Sequence, residues 1–208
     1  DWNGTAAADS RSYVMVQAFR EVVEDALLSP LVAPVAEAME VYKSKFPARE
    51  EAVEAILRTR PLHLLPLPHD TWESFLSDCA EKTIQVLIQK GGPNALAKRW
   101  GEKNSPGVAH PIANQLPPLF DGLVRLPDPP QSGSMDAVKV IRPGFGASLR
   151  MVISPSNHDA AIYHMPGGQS GDPRSDQYRK GHNAWIKGKP TTMRSGPAVR
   201  TIRLQPAG

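Results

Sequence analysis

The chain has 208 residues, 40% hydrophobic and 22% charged, a mixture that excludes a disordered or collagen-like polymer and is long enough to bury one large core or two small ones. Proline occurs 21 times and glycine 16 times, a proline share about twice the usual ~5%, so long irregular connections are expected. The net charge of +3 is uneven, with 12 basic and 15 acidic residues over 1–104 against 12 and 6 over 105–208, and no apolar run approaches the ~18 residues needed to cross a bilayer.

The opening residues carry acids at Asp1 and Asp9, where a signal peptide is basic and then greasy, so a targeting segment is expected to be absent or already removed. Helical patterns fill the first hundred residues. Asp9 or Ser10 can cap a helix running to about Leu28, with Val14, Ala18, Val22 and Ala26 on one face and Ser29-Pro30 as its stop. A second helix is expected from Val35 to about Lys45, with Ala38, Met39 and Tyr42 facing inward before Phe46-Pro47, and a shorter one from Arg49 to Arg58. Three prolines between Arg60 and Pro68 then require extended chain.

Asp70-Thr71-Trp72-Glu73 is the strongest local signal. Asp70 or Thr71 can cap the orphan amides, Glu73 stands at capping-box spacing from Asp70, and Phe75, Leu76, Cys79, Ala80, Thr83, Val86 and Leu87 continue the helical period to Gly91-Gly92-Pro93. Cys79 is the single cysteine, which excludes an internal disulfide and a cysteine-based structural zinc site; on a helix it reads as a buried inert thiol. A short helix from Asn94 to Trp100 is expected to follow.

From Gly101 to Gly133 seven prolines make the chain loop-like, and a loop of that length must pack against something. Three β-prone runs come next, Ala137 to Ile141, Ser148 to Ile153 and Ala160 to His164, with Pro155 to Asp159 as a hairpin connection between the last two. Ser175 to Lys187 is a helix candidate weakened by Gly181, and Val199 to Leu204 a late strand. Helices first and strands last predict an α+β fold with a helical segment over 1–104 and a loop-rich strand segment over 105–208. Four separated strands make a poor independent sheet, so they are expected to complete one whose other members lie in a different chain.

Tests for chemistry return little. Gly167-Gly168-Gln169-Ser170-Gly171-Asp172 has one glycine of a nucleophile elbow but Asp172 in place of the other, and it lacks the endings of phosphate and dinucleotide loops; the plainer reading is a tight turn of positive φ with Gln169 and Ser170 bonding nearby backbone. His158, His164 and His182 with Asp159, Asp172 and Asp176 match no common zinc spacing. Ser170 or Ser148 can be drawn with these groups as a triad, but a triad is defined by geometry. Tyr163, Tyr178 and Trp185 fit core or interface packing better than base stacking. Over 105–208 the basic residues are scattered singly apart from Arg179-Lys180, which favours a solvated or partner-facing surface over nucleic acid.

Taken together, Arg99-Trp100-Gly101-Glu102, His110-Pro111, Gly144-Phe145-Gly146-Ala147-Ser148-Leu149-Arg150-Met151-Val152 and Met165-Pro166-Gly167-Gly168-Gln169-Ser170-Gly171-Asp172-Pro173, with Ser175, Tyr178, Trp185 and Gly188, resemble the end of the β chain in the penicillin acylase (penicillin amidase) family of N-terminal-nucleophile hydrolases. Trp2-Asn3-Gly4 and Asp9-Ser10 resemble further motifs of that family, so the likeness spans nearly the whole chain. Asn3, Leu149, Ser154 and Lys180-Gly181 depart from the usual residues and bear on subfamily and substrate rather than on fold.

The resemblance implies an αββα sandwich completed with other chains. It implies hydrolysis of the amide bond of N-acylated small molecules, such as β-lactam side chains or acyl-homoserine lactones, after a precursor has cut itself to expose a serine whose own α-amine is the base. Asp1 is not that serine. On this reading the nucleophile, the oxyanion asparagine and any structural calcium lie upstream, and the chain supplies no catalytic, cofactor or metal residue. Its partners are the α chain and the N-terminal part of the β chain, not nucleic acid or membrane. The location expected from the family is periplasmic or secreted. The alternative is a non-catalytic interaction module on the same fold.

Overall fold

The computed structural model describes residues 2–35, 37–38, 41, 49–193 and 203. The chain mixes helices with two small antiparallel sheets, an α+β content, and divides into two compact units, Asp1–Glu102 and Lys103–Gly208. The expected helix from Val35 to Lys45 and the late strand from Val199 to Leu204 fall largely outside the described residues. No helix among the described residues is long and apolar enough to cross a membrane.

In the first unit, α1 spans Ser12–Val32, α2 Arg49–Thr59 and α3 Trp72–Gly91. Ser10 caps α1 by accepting from the Tyr13 amide at 3.0 Å. Pro30 does not stop the helix; it lies inside the last turn, and the Ala33 amide still reaches the Ser29 carbonyl at 2.9 Å. A proline costs a helix its own amide bond and crowds the carbonyl four residues earlier, a smaller loss near the end than in the middle. The buried face is Tyr13, Val22, Val23, Leu27 and Leu28 rather than the expected Val14 and Ala18, which are half-buried.

The α3 helix follows its pattern closely. Trp72, Phe75, Cys79, Thr83 and Leu87 are buried, steps of three and four residues that trace one face. Thr71 is the cap, accepting from the Ser74 amide at 3.1 Å, so the capping-box pairing of Asp70 with Glu73 does not form. Glu73 instead meets Arg60 at 2.6 Å. Thr83 fits the apolar face because its hydroxyl donates to the Cys79 carbonyl at 2.7 Å, which satisfies a polar group that burial would otherwise penalise. Burial pushes the Cys79 thiol up, consistent with an inert packing residue.

These faces meet in one core in which Val22, Val23, Leu27 and Leu28 pack with Trp72, Phe75 and Cys79, bordered by Val53, Ile56 and Leu57 of α2. The rings of Trp72 and Phe75 contact edge to face at 5.8 Å. Arg49 of α2 pairs with Glu24 of α1 at 2.9 Å on the rim. Beyond α3, the expected helix from Asn94 to Trp100 is replaced by single 3-10 turns at Ala95–Ala97 and Trp100–Glu102. The second turn is held from outside, since the Trp100 amide donates to the Ser10 carbonyl at 2.9 Å and the Gly101 amide to Ala8 at 2.7 Å.

The second unit opens with the proline-rich stretch, which carries only 3-10 turns at Ala113–Gln115 and Pro118–Phe120 and a short helix, α4, at Asp121–Val124. A two-stranded sheet pairs β1 (Ile141–Arg142) with β2 (Phe145–Gly146). A three-stranded sheet has β4 (Asn157–His164) between β3 (Arg150–Ser154) and β5 (Thr191–Thr192). The run from Ala137 is not a strand before Ile141, and Val138 projects fully into solvent. The cause is Lys139, which turns inward, its ammonium donating to Gln131 Oε1 at 2.7 Å. Gly181 splits the expected helix at 175–187 into α5 (Asp176–Arg179), capped by Ser175, and α6 (His182–Lys187).

Phe75→Ala should cost about 3–5 kcal/mol, as for other buried aromatics, read as a fall in the denaturation midpoint. His69 gives the first unit a pH dependence. Its ring nitrogens lie 2.9 Å from the Pro66 carbonyl and 2.9 Å from Asp78 Oδ2, and these bonds raise its pKa. The stabilisation is therefore complete below the ordinary histidine value and is lost as pH rises through the raised folded value. Asp78→Asn should flatten that part of a melting-temperature profile between about pH 6 and 8.

Candidate functional site

The stretch from Met165 to Pro173, singled out by sequence, follows β4 and folds back onto α5 and α6. Gly168 is the tightest point. Its amide donates to the Tyr178 carbonyl at 3.0 Å, and a Cβ placed on it would sit 1.6 Å from the Gln177 carbonyl oxygen. The glycine is demanded by this close approach and not by a positive φ, which neither Gly167 nor Gly168 has. Ser170 behaves as a turn residue, its hydroxyl accepting from the Asp172 amide at 3.1 Å. Asp172 is clamped by Arg174, with Nε 3.0 Å from Oδ1 and Nη2 2.8 Å from Oδ2, and this guanidinium holds the carboxyl down to about 2.

The drawn metal and triad groupings do not assemble. Ser170 bonds within its own turn, and Asp172 is committed to Arg174. His182 is buried, one ring nitrogen against the Pro166 carbonyl and the other 2.7 Å from that of Pro127. Among the described residues no group of three or more His, Cys, Asp or Glu is arranged to hold a metal ion. Tyr178 and Trp185 are packing groups: the Tyr178 hydroxyl donates to the Val124 carbonyl at 3.0 Å and the Trp185 indole to Ala147 at 3.0 Å.

Trp185 organises the centre of this unit. Its ring is 1% exposed, packs with Ile141 and Ile186, stacks on His182 at 5.9 Å and lies under the Arg150 guanidinium at 4.6 Å. Gly146 is pressed so close that a Cβ there would fall 2.7 Å from the indole. Arg150 also donates through Nη1 to the Trp185 carbonyl at 3.0 Å. Burial lowers the pKa of Arg150, and burial with the neighbouring Arg150 charge lowers that of Lys139.

Beside this centre a cavity of about 270 Å³ is walled by Tyr163, His164, Met165, Gln169, Lys180 and Trp185 among others. His164 faces Arg150 directly across the β3–β4 register. Composition gave no hint that these two basic side chains meet; the pairing of two strands produces it. Substituting Gly168→Ala should destabilise the protein by about 3 kcal/mol, the upper end for overpacking, because the obstacle is a backbone carbonyl; a thermal melt gives the reading.

No curated protein matches the chain. The model of the penicillin amidase family matches residues 1–201, nearly the full length and including every motif assembled around Gly168 and Trp185. The chain therefore belongs to the penicillin amidase family, whose general chemistry is amide hydrolysis.

Proposed function

We propose that this chain is a structural component of an acylase that hydrolyses the amide bond of N-acylated small molecules, and that the reactive serine belongs to polypeptide upstream of it. The family match carries the reading. The three-stranded sheet supports it. Met151 is 48% and Val152 65% exposed, so apolar side chains project from both faces of β3, since these successive residues, paired in regular register with β4, alternate. A strand greasy on both faces belongs in the interior of a layered sheet.

In this reading β3 and β4 lie among strands of the α chain and the N-terminal part of the β chain. Together these position the nucleophile in a four-layer sandwich. The side chains of β-lactams and acyl-homoserine lactones are the substrate classes, any structural calcium is held upstream, and the enzyme works in the periplasm or outside the cell. The second reading, a non-catalytic interaction module, is favoured if the polypeptides that accompany the chain lack a processed serine, threonine or cysteine at an N-terminus.

The purified 208-residue chain should release no chromophore from a chromogenic phenylacetyl amide, and co-production with the upstream polypeptide should restore turnover. Hydrolysis by the isolated chain would refute the division of labour. Intact mass spectrometry of the active preparation should show larger chains beside this one, one of them beginning with the nucleophile.

A further inference from the structure

In the second unit, buried nitrogens of two basic side chains lack hydrogen-bond partners among the described residues. Nε and Nη2 of Arg150 are out of contact with solvent and make no hydrogen bond among the described residues, and the same holds for both ring nitrogens of His164. Leaving a buried polar group without a partner is destabilising, and more so when it is charged. The two residues stand opposite each other on β3 and β4 and therefore share a face of the sheet. Lys139, near enough for the Arg150 charge to depress it, adds a second positive group. Burial first, and the Arg150 charge second, lower the His164 pKa; among the described residues no carboxylate acts on Arg150, Lys139 or His164 to offset these effects.

The adjoining cavity has matching chemistry. Its wall holds Lys180, the Gln169 amide and His164 on the polar side, and Trp185, Met165 and Tyr163 on the apolar side, and among the described residues no aspartate or glutamate. At about 270 Å³ it has room for a small amphiphile. We propose that this cavity is a receptor for a carboxylate group, which seats between Lys180 and His164 with its apolar end against Trp185. The carboxylate supplies counter-charge to the imidazole in the cavity wall and to Arg150 one strand away. This inference does not depend on the acylase reading, since it concerns a cavity built within the second unit alone.

The carboxylate has two sources, a free small acid or an acidic side chain of an accompanying polypeptide, and one experiment separates them. The His164 ring is titrated by NMR in the intact protein, alone, with benzoate and with isosteric neutral benzamide. The charged groups to be considered are Arg150 on the paired strand and Lys180 in the shared cavity wall. If the cavity is open, His164 titrates below about 6.5, benzoate raises it by about one unit and benzamide leaves it in place. Benzoate then binds about tenfold tighter once pH has fallen through that interval, because it favours the charged ring. Lys180→Gln, an exposed change that spares the core, should weaken benzoate severalfold.

If His164 titrates above about 6.5 without added acid and benzoate adds nothing, a protein carboxylate fills the receptor, which supports the same chemistry from the other source. A ring that titrates low and ignores saturating benzoate, or responds equally to benzamide, overturns the proposal.

Discussion

The second unit depends on a single constraint: its backbone has too little regular structure to satisfy its own carbonyl groups. A proline-rich stretch cannot form ladders, and buried carbonyls must still find donors. The donors come from side chains far along the sequence. Tyr178 reaches Val124, Arg179 reaches Gly122 and Leu123, His182 reaches Pro127 and Pro166, and Asn104 donates to both Gln131 and Gly133 at 3.0 and 2.9 Å. The short helices α5 and α6 thus act less as packing rods than as racks of hydrogen-bond donors. Arg150 and Trp185 belong to the same system, linked by a carbonyl contact and a guanidinium over an indole.

The first unit rests on ordinary helix packing, and that difference explains what could be read from the residues. Periodicity located α3 because five buried positions repeat every three or four residues and a threonine begins it. It misjudged α1, where the face turns gradually and Pro30 sits in a terminal turn that tolerates it. It could not find the end of β-prone Ala137 to Ile141, because Lys139 is drawn inward by Gln131 and Ile186, partners remote in sequence. Nor could it reveal the reason for Gly168, which is the approach of the Gln177 carbonyl rather than a local backbone preference. Local rules describe segments whose bonds are local; the second unit is built from bonds that are not.

The same contrast governs the site. The motif from Met165 to Pro173 was legible as a place where something unusual happens, and the family match gives it a lineage. Its chemistry as a turn came from neighbouring residues: Ser170 and Asp172 bond within a few positions, as their types favour. The unpartnered faces of Arg150 and His164 were invisible in the sequence, since only the strand register sets one against the other. Charge counting found the excess of basic residues in the second half without showing that several of them turn inward.

The two-sided greasiness of β3 has a consequence for biosynthesis. Strands with open edges and apolar faces pair with whatever strand they meet, including another copy of themselves. On the proposed reading, a chain that displays Met151 and Val152 on opposite faces is safest when made joined to its neighbouring strands in one precursor at high effective concentration, so that correct pairing outruns aggregation. Separating the polypeptides only after folding would protect the strand during the interval in which it is most adhesive.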